Sequence, residues 1–68
     1  MLSISTIKRV AERHGYTMDN EACKDLIEGS FEGETISRAL IDYLSAYEGL
    51  TAFRCHAIVN DKEAELTK

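Results

Sequence analysis

Leu50-Thr51-Ala52-Phe53-Arg54-Cys55-His56-Ala57-Ile58-Val59 is the stretch whose reading decides the fold. At a period of two, Phe53, Cys55, Ala57 and Val59 share one face, as in a strand. At a period of 3.6, Leu50, Phe53, Ala57 and Ile58 share a face, as in a helix. A strand here has no partner elsewhere in the chain. It would have to pair across a dimer, giving an α+β fold with one strand at about 50–59. A helix makes the chain mainly α, a small domain of three to four helices spanning 1–68, and this is the expectation. Beyond Val59 the helical stripe thins, because Asp61 and Glu65 fall on it and only Ala64 continues it. Asn60 with Glu63 forms a candidate cap pair that places a break there. The largely polar end, at about 61–68, is expected to fray.

Working back toward the N-terminus, the next segment is the clearest helix. Ile36, Ala39, Leu40, Tyr43, Leu44 and Tyr47 follow one another at spacings of 3, 1, 3, 1 and 3. That is an apolar stripe of helical period, with Gly49 at the position past the end where a left-handed residue is favoured. This helix is expected to centre the core. Upstream, Gly29 and Gly33 predict a turn, since each glycine inside a helix costs about 1 kcal/mol relative to alanine. Phe31 is its candidate apolar anchor. A second helix starts after Asp19 or Asn20 as cap and carries the stripe Ala22, Cys23, Leu26 and Ile27. A first helix over about 5–14 places Ile4, Ile7, Val10 and Ala11 on one face, with Ser3 or Ser5 as cap and Gly15 as terminator. Lys8, Arg9, Arg13 and His14 lie on its remaining surface.

The chain has 68 residues, 44% hydrophobic and 29% charged, with no proline and no tryptophan. This is the composition of one globular domain. A domain of this size buries only about 60% of the surface its unfolded chain exposes, so a staple or a partner matters for stability. Two cysteines, Cys23 and Cys55, are too few for a secreted disulfide framework and are expected to be reduced. Self-association into a homodimer is the other route to stability. No apolar run approaches the roughly 18 residues that span a bilayer, and the N-terminus has no apolar signal-like region. The expected location is cytoplasmic, or the host cytoplasm if the chain is virus-encoded, with no membrane partner.

Catalysis needs a nucleophile with a base in reach. Cys55 and His56 are adjacent, and neither a strand nor a helix turns such neighbours toward each other. His14, Cys23, Cys55 and His56 lack zinc-site spacing, and Gly29 and Gly33 lack the flanking residues of a phosphate loop. The chain is therefore expected to be no enzyme, with no catalytic or metal-ligating residues and no cofactor.

Thr6-Ile7-Lys8-Arg9-Val10-Ala11-Glu12-Arg13-His14-Gly15-Tyr16-Thr17 resembles the first half of a helix-turn-helix, as in repressors of the lactose-repressor type. The resemblance implies DNA binding. It ends there, because Glu21 and Lys24 stand where that motif's second helix has apolar residues. The whole chain is also similar to the histone fold, a short, a long and a short helix, which implies an obligate handshake dimer. Gly29 and Gly33 fall inside the would-be long helix. Neither resemblance assigns a family.

The formal net charge is −4. It is unevenly placed: residues 1–14 carry a local +2 and residues 19–34 a local −5. The leading expectation is a small acidic protein-interaction module. It would bind and modulate or inhibit a protein with a basic surface, as virus- or mobile-element-encoded regulators do. Asp25, Glu28, Glu32 and Glu34 would steer the encounter, and exposed Phe31 or a tyrosine would supply the desolvated anchor. The alternative is a small dimeric DNA-binding transcriptional regulator contacting phosphates through Lys8, Arg9 and Arg13. Nucleic acid is the less expected partner, since the would-be recognition helix is acidic.

Overall fold

Thr51 decides the ambiguous segment. Its hydroxyl accepts the backbone N–H of Arg54 at 3.2 Å and caps a helix over Ala52–Val59. Backbone groups are then satisfied within the segment, and no partner strand is required. The strand alternative is thereby corrected. In the computed structural model, which describes residues 2–65, four helices follow in order: α1 (Ile4–Arg13), α2 (Asn20–Gly29), α3 (Ile36–Tyr47) and α4 (Ala52–Val59). Among the described residues there is no strand, so the protein is mainly α.

The helix ends follow from local chemistry. Asp19 caps α2 by accepting from Ala22 N at 2.8 Å, and Thr35 caps α3 by accepting from Arg38 N at 3.1 Å. Ser3 occupies the cap position of α1 without a side-chain capping bond. Gly15, at φ 90°, ends α1. Its N–H donates to Glu12 O at 3.0 Å and Tyr16 N–H donates to Ala11 O at 2.9 Å, the paired closure that a left-handed residue permits. Gly49, at φ 73°, ends α3 in a related way, with its N–H on Leu44 O at 2.9 Å.

α3 lies at the centre, packed on α1, α2 and α4, while α1 also packs on α2. Ile7, Val10, Cys23, Ile36, Leu40, Leu44 and Ile58 are fully buried. Leu2 and Met18, from segments outside the helices, complete this core. The α4 face is rotated from the expected stripe: Ile58 is buried, whereas Phe53 is 82% exposed. Tyr47, expected on the α3 core stripe, is 71% exposed.

The break between α2 and α3 corrects the histone-like expectation of one long middle helix. Gly29 is the last residue of α2, and Gly33 sits at φ 87° in the connection. The expected fray also requires correction as far as Glu65. Ala64 is fully buried, and its carbonyl accepts the backbone N–H of Ser37 at 2.7 Å. The chain after α4 thus docks against the start of α3. The remainder of the expected fray, 66–68, lies outside the described residues. Cys23 is buried and Cys55 half-buried, and both thiols are free. No helix is long and apolar enough to cross a membrane among the described residues.

Candidate functional site

Of the three cations that a DNA-binding α1 would use, Arg9 and Arg13 are engaged within the chain. Arg9 donates through Nε to Glu63 Oε2 at 2.9 Å and also through Nη2 to the same oxygen. Arg13 forks onto Asp61, with Nε–Oδ2 2.7 Å and Nη2–Oδ1 3.1 Å, and reaches Glu63 Oε1 at 2.7 Å. His14 Nε2 lies 2.8 Å from Asp61 Oδ2. Two of the three cations are therefore held by the chain's own tail. Lys8 is the third and carries no ion pair among the described residues.

The electrostatics of this cluster follow from its bonds. Burial opposes ionisation of Asp61, but hydrogen bonds from Arg13, His14 and Glu63 N outweigh it and hold the carboxyl at about 2. Hydrogen bonds from Arg9 and Arg13 hold Glu63 at about 2 as well. The reverse effect raises both guanidinium groups further. Nearby, Arg54 donates to His14 O at 3.0 Å and stands 5.3 Å from the centroid of the Tyr16 ring, tying α4 to the end of α1.

The acidic segment has the opposite character. Asp25, Glu28 and Glu32 are exposed, and none forms an ion pair among the described residues. At about 100° per residue, Glu21, Asp25 and Glu28 fall on one narrow band of α2. Phe31, 68% exposed, lies in the connection between α2 and α3. Glu34 departs from the expected role. It is only 7% exposed, and its Oε1 accepts Phe31 N–H at 3.3 Å while its own N–H donates to Phe31 O at 3.1 Å. Glu34 thus closes the 31–34 turn and is no steering charge on the surface.

Two concavities flank Tyr43. A cleft of about 170 Å³ lies between α2 and α3, with Leu26 and Ala39 in its lining and Asp25, Glu34 and Asp42 among its walls. This is below the roughly 300–1,000 Å³ of small-molecule pockets. On the other side of Tyr43, an open groove of about 540 Å³ is lined by Tyr16, Met18, Leu44, Tyr47 and Glu48, among others. The Tyr43 and Tyr47 rings stack at 4.6 Å between centroids, tilted by 40°. Burial pushes the Tyr43 phenol up, and the negative charge of Asp25 adds to the effect. Among the described residues, no group of three His, Cys, Asp or Glu side chains converges to hold a metal ion.

Sequence reasoning grouped Asp25, Glu28, Phe31 and Glu32; the structure places Asp25 and Glu28 on α2 and Phe31 and Glu32 in the connection to α3, all four exposed. That reasoning missed Asp42 and Glu48, and it named a tyrosine as a possible anchor without saying which. Tyr43 and Tyr47 fell on the apolar stripe of α3, and only the packing of neighbouring helices reveals that the stripe is uncovered at its C-terminal end. No family model matches the chain, and neither curated proteins nor solved structures contain a match.

Proposed function

We propose that this protein is a small acidic interaction module that binds and modulates a partner protein through a basic surface of that partner. The observation that carries the reading is the exposed band of Glu21, Asp25 and Glu28 on α2, none in an ion pair among the described residues. Asp25 repels Glu21 four residues before it and Glu28 three after it, while Lys24, three after Glu21 and four before Glu28, offsets part of that repulsion. Glu28 also sits in the last turn of α2, near the negative end of the helix dipole, and no basic residue occupies that turn. Positions that break local rules in this way are where function is expected. Unpaired acids on an exposed band raise the encounter rate with a basic surface and disfavour acidic competitors. Phe31 adds an apolar contact at the rim.

The test compares the wild-type chain with the triple variant Asp25→Asn, Glu28→Gln, Glu32→Gln, both immobilised and exposed to cell lysate. Basic proteins retained by the wild type and lost both with the variant and at high salt support the reading. An identical captured set for the two chains sinks it. Tight, salt-sensitive binding of duplex DNA by the wild type would also sink it, because that behaviour requires freely available cations on α1.

A further inference from the structure

We propose that the α2–α3 face is a docking track for a Lys- or Arg-bearing segment of the partner protein, with Tyr43 and Tyr47 as its aromatic seat between Asp25, Asp42 and Glu48. The inference rests on the acidic-module reading and, of the two anchors open to it, Phe31 or a tyrosine, assigns Tyr43 with Tyr47. All three tyrosines of the chain line the groove beside α3, and Tyr43 lines the neighbouring cleft as well. The two concavities thus meet at Tyr43. The cleft is lined by Asp25, Glu34 and Asp42 with no Lys, Arg or His among the described residues, and the groove adds Glu48, while Arg54 stands over Tyr16 at the groove's far end.

The chemistry of the lining selects the occupant. Leu26 and Ala39 give the cleft an apolar part that suits the methylene stem of a long basic side chain. Asp25 and Asp42 stand where its charged head would lie. Next to it, the stacked pair of Tyr43 and Tyr47 offers ring faces to a second cation. Tyr47 is 71% exposed and already held against Tyr43, so less of its freedom is lost on binding. Tyrosine is also among the residues most enriched in binding hot spots. Carboxylates without aromatic surface would bind counter-ions weakly. Aromatic surface without carboxylates would not select a basic partner. Here both occur side by side.

The probe is a blocked tetra-arginine peptide, titrated at low salt into the full, isotope-labelled chain and followed by amide and tyrosine-ring NMR shifts, with tetra-glutamate as control. Shifts centred on Gly29, Asp42, Tyr43, Tyr47 and Glu48 are expected, with none from tetra-glutamate. Tyr47→Ala is expected to weaken binding about fivefold, with Tyr47→Phe retaining most of it. Tyr47→Lys, at the same exposed site, places a cation on the track and is expected to abolish it. Equal affinity for the wild type, Tyr47→Ala and Tyr47→Lys would overturn the track. So would shifts confined to Glu21, Glu28, Phe31 and Glu32, which would leave the acidic-module reading standing. Track resonances that move on simple dilution without peptide would instead assign the surface to a second copy of the chain. No response to tetra-arginine anywhere would overturn both proposals.

Discussion

The two charged ends of this molecule are built from the same side-chain types and used in opposite ways. At the end of α1, Arg9, Arg13 and His14 are matched by Asp61 and Glu63 from the tail. On α2, Asp25 and Glu28 face solvent with no such match among the described residues. The first arrangement closes the domain. It joins residues 47 to 54 positions apart, and it operates beside the buried Ala64 that docks the tail. The second contributes nothing to closure and adds like-charge repulsion within a single helix. The pairing uses two arginines and two acids, Asp61 and Glu63, so the net charge of −4 is carried entirely by the groups outside it.

The largest expected effect tests whether the two regions belong to one folding unit. Leu40 is fully buried on α3, whose N-terminal end meets the tail and whose later turns carry Asp42 and Tyr43. Leu40→Ala should lose roughly 2–5 kcal/mol. Denaturation followed at the tyrosines and at His14 should show coincident transitions. Separate transitions would break the comparison, by showing that the tail cluster and the acidic face fold independently.

A smaller effect is expected from the tail. Asp61→Asn keeps the size of the side chain and removes the charge that Arg13 and His14 share, at a cost of about 1–2 kcal/mol. The same cluster predicts the acid response. Asp61 and Glu63 sit at about 2 in the folded protein, against about 4 in an unfolded chain. Their contribution is therefore fully present above about pH 5 and is lost as the pH falls toward 2. Thermal melts of the wild type should weaken across that window. Those of Asp61→Asn should weaken less, and equal slopes would remove the cluster from the account.

The smallest effect is near zero. Glu28→Gln relieves repulsion from Asp25 and an unfavourable charge at the end of α2, and it also removes the attraction to Lys24 four residues earlier. Stability should change by no more than a few tenths of a kcal/mol, while capture of basic proteins weakens. A larger loss of stability in urea titrations would show that Glu28 serves the fold, and the contrast between the two ends would narrow.

Much of the helical layout was legible because its causes are local. Asp19 bonds to backbone three residues on, and Gly15 and Gly49 supply left-handed conformations at helix ends; Thr35, which caps α3 in the same way, was overlooked. The tail was illegible for the converse reason. A polar stretch such as Asp61 to Glu65 looks like solvated chain until Arg9 and Arg13, some fifty positions earlier, are brought beside it. Glu34 was misread because a carboxylate in an acidic run looks like surface, and its bond to Phe31 N depends on the turn that forms around it. Tyr47 was misread because the stripe on α3 continues past the point where neighbouring helices cover it.

The sequence by itself determined the helical periods, the Asp19 cap, the two breaks at Gly15 and Gly49, and the separation of positive from negative charge along the chain. Those properties depend on residues within a turn or two of each other. The tertiary structure alone decided which charges are consumed and which remain free, and which aromatic rings are left uncovered beside the acids. Those outcomes depend on how α3 and the tail meet segments far away in the chain. No local pattern encodes the distance between Arg13 and Asp61, or the opening beside Tyr43.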